Sequence, residues 1–430
     1  MILKFTFLFL SVLILLYTIF SCVILFKRKC FPFIFAILIL YFWTIHGSIG
    51  ILLYEIKIIN TSPAEFTTYL TKEFICNNNY FISLLIYYIF YISLSTLILF
   101  YTKRICTSNY LMEMNNLNNI ILILFFTMTS IIPILLSIDN YKNLILYQHI
   151  RNNDIEYFTI HQISNRILII FSVLGFLSRK KYFRLPFNLF YLITIFILTS
   201  YMLLLGNKSE IFFAVGFFSV YIIQKISIFK FKYLIYLIPL IYIFGVANIF
   251  RGQYFSEYFE SDMFSILIKP FDLIFKSGEF YSAHLSLFNV LEYEVNSNYL
   301  LIIKALLNKL ILGETFDSYN YYADVLSIGD KFGPSQGSTI HNLVSFIISF
   351  SYYGIIFCII QFAIIFYLLK KTLINLHIYF KMKYFLFTSL SFAYLPAFIR
   401  SGSESIRGFI YYITIFFICF LFVNFKIKKC

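Results

Sequence analysis

Apolar residues run through this chain in long, unbroken stretches rather than in the short alternations of a soluble fold. The stretch from Ile2 to Phe26 holds one charged residue, Lys4. Runs of roughly 18 or more apolar residues recur to the C-terminus, each long enough to cross a hydrocarbon core of about 30 Å. A backbone facing lipid must satisfy its own hydrogen bonds, so the predicted elements are α-helices. They fall near 2–26, 31–54, 80–101, 119–138, 163–178, 187–205, 210–224, 233–250, 339–369, 384–399 and 408–425. The reading is all-α: a polytopic integral membrane helical bundle of about 11 transmembrane helices with one large, partly helical outer loop. The first run exceeds the apolar region of a signal peptide and has no small-residue cleavage site, so it is expected to be a retained span. A very short turn, Gly206 to Glu210, separates two spans; if that pair is one re-entrant unit, the count changes but the sidedness of the rest does not.

Composition agrees: of 430 residues, 60% are hydrophobic and 13% charged, against about a quarter charged in a soluble domain. The net charge of +14 raises the question of a nucleic-acid partner, and its distribution answers it. Basic clusters occupy alternate gaps between spans: Lys27 to Lys29, Lys103 and Arg104, Arg179 to Arg184, Lys225 to Lys232, Lys370 to Lys383, and Lys426 to Lys429. The acidic residues, Glu113 apart, fall in the intervening gaps or at their edges. By the positive-inside rule the basic gaps are cytoplasmic, which places the N-terminus outside and the C-terminus in the cytoplasm. No role in binding nucleic acid is left for the charge. The chain divides into an N-terminal bundle at 1–250 with about eight spans, an outer loop at 251–338, and a C-terminal bundle at 339–430 with about three.

Inner loops are short, and no Gly-rich phosphate loop occurs. The seven cysteines form no disulfide framework, and no Cys/His spacing suits zinc. The loop at 251–338 is the largest extramembrane segment, and loops of this length without function are uncommon. Its apolar stretches, Met263 to Phe275 and Tyr299 to Leu312, have helical spacing and are expected to lie on the bundle. Its tyrosines offer faces that could stack on sugars or form an interfacial belt.

Cations gather at the expected outer face. Arg251 and Arg400 end spans, Arg407 opens one, and Lys208 lies in the tight turn. Together they could hold an anion such as a lipid diphosphate, since Arg pairs with phosphate in bidentate geometry. A cation at a helix C-terminus is also favoured by the dipole, which gives Arg251 and Arg400 a purely structural alternative. Arg407 sits at a helix N-terminus, where positive charge is disfavoured, and Glu404 or a bound anion would compensate it. Glu210 could do the same for Lys208. His341, followed by Asn342, lies where the large loop enters the next span; none of the other histidines has that setting.

Three segments resemble the O-antigen polymerase and ligase superfamily. His341-Asn342-Leu343 through Tyr352-Tyr353-Gly354 is similar to its His-Asn pair followed by a helix and a small or aromatic turn. Leu203 to Glu210 is similar to its apolar-Gly-Ser-Arg-Ser segment, with Lys208 where arginine is usual. Asn248 to Gly252 is similar to the segment whose arginine opens the outer loop. The resemblance implies an inner-membrane enzyme of bacteria that joins repeat units carried on undecaprenyl diphosphate into a surface polysaccharide, with a chain-length regulator as a partner. The His-Asn pair is more typical of the ligase branch, which leaves the acceptor open. A diphosphate is already a good leaving group. The implied chemistry therefore needs His341 as general base and Arg251, Arg400 and Arg407 as an electrostatic clamp, with Lys208, Asn342 and Glu404 binding substrate, and neither metal nor cofactor. A lipid-linked oligosaccharide flippase would keep its outer loops short and its polar groups at the midplane. A metal-dependent glycosyltransferase would present paired acids in the first outer loop, where Glu55, Glu65 and Glu73 are scattered. A membrane scaffold would leave the cations without a purpose. Reporter fusions at Asp262 and Glu292 are expected to report the exterior, and a fusion at the C-terminus the cytoplasm.

Overall fold

The side chains of the first helix sort into two faces that need two different solvents. Phe7, Ser11, Ile14, Thr18, Ser21 and Leu25 are buried, at alternating spacings of four and three, while Ile2, Phe5, Phe9, Leu16 and Phe20 are exposed. A seam of period three-and-a-half with small hydroxyl residues in it is a packing mode of membrane helices, and the exposed apolar face is compatible with contact with lipid.

The computed structural model describes residues 2–55, 78–104, 110–114, 209–222, 341–379, 382–401 and 425–429, with short helical pieces at 128, 163, 166–167, 242, 286–288, 290–292, 409–410 and 413–414. In chain order the elements are α1 (Ile2–Lys27), α2 (Phe31–Tyr41), a π-helical turn (Phe42–His46), α3 (Gly47–Glu55), α4 (Asn78–Tyr101) and a 3₁₀ turn (Thr102–Arg104). Then come β1 (Tyr110–Met114), α5 (Ser209–Ile222), α6 (Asn342–Phe350), α7 (Tyr353–Tyr379), α8 (Met382–Ser401) and β2 (Phe425–Lys429). Four helices among the described residues are long and apolar enough to cross a membrane: Ile2–Lys27, Phe31–Gly50, Asn78–Tyr101 and Tyr353–Asn375. The spans expected at 119–138, 163–178, 187–205, 233–250 and 408–425 lie almost wholly outside the described residues. The helical architecture carries one addition, an antiparallel ribbon that pairs Tyr110 with Lys429 and Met114 with Phe425.

Contacts divide the chain into two units. The first is Met1–Ile105, Phe275–Lys371 and Tyr394–Ile410; the second is Cys106–Ile274, Thr372–Ala393 and Tyr411–Cys430. In the second, Gly216 of α5 lies so close to the α8 backbone that a Cβ there would stand 2.7 Å from Ala393 Cα and from the Phe392 carbonyl oxygen. Arg166 stacks on Phe213, with 5.2 Å between the guanidinium carbon and the ring centre.

In the first unit, α1 and α4 run parallel. Ser11 bonds Tyr88 at 2.5 Å, Thr18 bonds Tyr91 at 2.6 Å, and Arg28 donates to the Leu99 carbonyl at 2.5 Å and to Thr102 at 3.1 Å. Between them α1 ends in a tight reversal. The Lys29 and Cys30 amides bond back to Phe26 and Leu25, and Lys29 takes a positive φ of 58°, a helix-ending motif that glycine normally serves. Phe31-Pro32 then opens α2, since proline tolerates the first turn of a helix. The first three spans therefore alternate in direction, as the alternation of basic gaps requires. Lys27 to Lys29, the Lys103 side chain over Phe100 and the Lys370 side chain over Tyr101 all collect at one end of this unit.

The expected span at 339–369 is corrected. It is broken at Ser351 and Tyr352 into the short α6 and the long α7, and α6 folds back along α7. Asn342 meets Gln361, the backbone at Phe346 and Ile347 faces Gly354, and Phe350 stacks on Phe357 at 5.0 Å, a sequence of contacts that only antiparallel arms produce. Nine residues of α6 rise roughly 13 Å and cannot cross a bilayer. The reversal rests on Ser351, with φ 52° and ψ −145°, a region nearly reserved for glycine. It also rests on Gly354, where any Cβ would strike the Phe346 carbonyl. Ser351→Gly is expected to stabilise the detergent-solubilised protein by about 1 kcal/mol, read by thermal melting. Gly354→Ala is expected to lower the melting temperature, because the two arms could not close.

Candidate functional site

The reversal decides where His341 goes. Instead of the outer end of a span, it lies one α6 length down from the turn, beside Gln361 and against the middle of α4. Its ring meets Tyr87 edge-on at 5.3 Å and Phe90 at 5.8 Å, and it is 1% exposed. Tyr87 is itself fully buried and shares a side-chain hydrogen bond with Ser286 from the large loop. A helical piece of that loop runs along α4: Leu287, Phe288 and Val290 are buried, and Glu292, exposed at its end, accepts a 2.8 Å bond from Asn79. Tyr87 and Asn79 are two helical turns apart, so the imidazole sits roughly 12 Å along α4 from Asn79.

The local sequence explains the imidazole's orientation. A helix begins with orphan backbone N–H groups, and a side-chain acceptor at the position before it satisfies one of them. His341 fills that position with φ −58° and ψ 141°, and its Nδ1 accepts from the Leu343 N–H at 3.1 Å. In the neutral ring the proton is therefore on Nε2. Asn342, 1% exposed, donates through Nδ2 to the Gln361 side-chain carbonyl at 2.8 Å. That bond ties the start of α6 to α7, and the Phe362 ring continues the wall to Phe90 at 5.9 Å.

Arg400, in the last turn of α8, stacks over Trp43 with its guanidinium carbon 5.5 Å from the ring centre. Trp43 lies in the π-helical turn midway along the α2–α3 span, and such turns often mark functional sites. The same turn buries His46, packed against Tyr41 at 6.1 Å and Phe42 at 5.1 Å. Tyr41 packs on Tyr91 at 6.2 Å and Ser48 bonds Tyr88. Trp43 is therefore level with the stretch of α4 that carries His341. Both candidates lie beside the middle of a neighbouring helix rather than its terminus: His341 because of the break at Ser351, and Arg400 because α8 ends beside the centre of the α2–α3 span.

Lys208, Arg251, Glu404 and Arg407 lie outside the described residues. Tyr87, Ser286, Gln361, Trp43 and His46 were not marked by sequence reasoning. Gln361 alone offered a signal, as a polar residue inside an apolar run. Outside the spans, burial pushes the Cys30 thiol up to about 12, with Arg28 acting weakly against it, so this cysteine is no nucleophile. No family model, curated protein or solved structure matches the chain.

Gln361→Leu leaves the Asn342 amide without its acceptor in a dry contact and is expected to destabilise the protein by about 1–3 kcal/mol. Adding Asn342→Leu should restore most of that loss, as a double-mutant cycle of melting curves will show.

Proposed function

We propose that this chain is a membrane glycosyltransferase that polymerises lipid diphosphate-linked oligosaccharide repeat units into a surface polysaccharide at the outer face of the bacterial inner membrane. The observation that carries the proposal is the recessed pair of polar groups in the first unit. An imidazole is locked by the start of a half-length helix, and a guanidinium is held on an indole at the same depth. Ionisable side chains are costly inside a bilayer and mark substrate paths. A tryptophan face attracts and orients a cation, and a planar guanidinium suits a phosphate.

In this reading a sugar diphosphate enters from the membrane surface at the end of α4 that carries Asn79, and the large loop flanks its path through Ser286 and Glu292. The basic end of this unit is the cytoplasmic end in this reading, with Glu292 and Asn79 toward the outside. Undecaprenyl diphosphate-linked repeat units are then the donor, and a second lipid-linked chain supplies the acceptor hydroxyl. Arg251 and Arg407 complete the clamp, and Lys208, Asn342 and Glu404 contribute to binding. A chain-length regulator would act from outside the site.

His341→Ala is expected to abolish long polysaccharide while the protein remains in the membrane, with single repeat units still capping the acceptor in gel profiles. Loss of a flippase would leave no such units, and loss of a ligase would leave the acceptor bare. Arg400→Ala is expected to slow polymer formation by roughly 10²–10³-fold, the scale of losing one electrostatic donor.

A further inference from the structure

We infer that His341 serves the reaction as a hydrogen-bond donor to the diphosphate through Nε2–H, and not as the base that deprotonates the acceptor. This role presupposes glycosyl transfer from a lipid diphosphate. A general base has to begin with an empty nitrogen facing the acceptor and end as a cation. Here the nitrogen that carries the lone pair, Nδ1, is committed to the Leu343 N–H at 3.1 Å. Nε2 accordingly holds the proton. A proton added at Nδ1 would expel that amide and recreate an orphan donor in a buried helix start. The imidazolium would also lie on the positive end of α6. The two rings that meet the imidazole, Tyr87 and Phe90, are uncharged. The same features hold a neutral donor firmly: the cap fixes one edge of the ring, and the two aromatic contacts fix its plane.

The step balances without a protein base. The acceptor hydroxyl oxygen forms the new bond to the anomeric carbon, and the bond from that carbon to the diphosphate oxygen breaks. The leaving oxygen keeps the electron pair. The hydroxyl proton ends on the departing diphosphate, and the Nε2 proton stabilises the developing phosphate charge without being transferred, as donors in an oxyanion hole do.

Two substitutions at His341 separate the nitrogens. Asparagine places an acceptor at the position of Nδ1 and keeps the cap while removing the Nε2 donor. Glutamine places an amide N–H at the position of Nε2 and sacrifices the cap. The full-length variants are expressed in the native cell, and polysaccharide length and rate are compared at matched protein levels. His341→Gln is expected to keep polymerisation within about tenfold of the parent, with a lower melting temperature, while His341→Asn falls by roughly 10²–10⁴-fold, the range for a group engaged in the transition state. Glutamine as inactive as alanine, in folded protein, overturns the donor role in favour of a base. Asparagine with parental activity overturns it in favour of a cap alone.

Imidazole nitrogen shifts of the purified, labelled full chain give a reading independent of glutamine's folding. The chain has six histidines, and the signal missing from the asparagine variant identifies this ring. An unprotonated Nδ1 and protonated Nε2 at neutral pH support the assignment; the reverse tautomer or a cation overturns it. Polymer persisting in His341→Ala would remove His341 from the mechanism, whereas loss of polymer without single repeat units capping the acceptor would overturn the polymerase reading itself.

Discussion

A polypeptide in hydrocarbon can interrupt a helix only where protein, rather than lipid, takes up the freed backbone groups. At the turn of Ser351 and Tyr352 the Gly354 and Ile355 amides of α7 take up the two turn carbonyls, and the arrangement at the candidate site follows from the reversal. Folding back places the start of α6 deep in the first unit, where its first amides need partners. The Leu343 amide finds one in the His341 ring. The candidate residue His341 thus also satisfies an amide at the buried helix start. The orientation of the ring is a consequence of that hydrogen bond.

The rest of the first unit is held in the manner expected where apolar burial gives no preference for helix over lipid. The α1–α4 seam uses hydroxyls, Ser11 to Tyr88 and Thr18 to Tyr91, with the Phe7–Phe81 ring pair at 4.9 Å above them. Each such bond is worth about 0.6 kcal/mol on average in a membrane, so direction and register come from several acting together. Arg28 closes the series by capping the C-terminal carbonyls of α4, where a cation also suits the dipole. α7 contributes less: Gly354, Cys358, Phe362, Phe366, Leu369 and Leu373 form a narrow buried stripe, and Ile356, Ile360 and Ile364 face outward.

What was legible in the sequence was what length and apolar content control. The spans of α1, α2–α3 and α4 are uninterrupted apolar runs, and one end of each lies beside basic residues. The break in 339–369 was not legible, because Phe350-Ser351-Tyr352 carries neither the glycine nor the proline that normally announces a reversal. Ser351 adopts a glycine-like conformation without being glycine. Gly354 stood in the resemblance as part of a pattern, but its reason, contact with the Phe346 backbone, exists only once the arms meet. Arg400 was readable as a cation at a helix end, whereas its platform was not, since a π-helical turn leaves no mark on a helical periodicity. The β1–β2 ribbon joins segments more than three hundred residues apart, and nothing local in either strand indicates the other.

The π-helical turn at Phe42–His46 adds one residue to a turn of helix. An ideal helix advances about 100° per residue, so the surplus residue resets the angular phase between the two halves of this span. Tyr41 and Ser48, seven residues apart, would share one face of a regular helix; with the extra residue between them they approach Tyr91 and Tyr88 of α4 from different angles, and the span is gripped on both sides of the turn that carries Trp43 to Arg400.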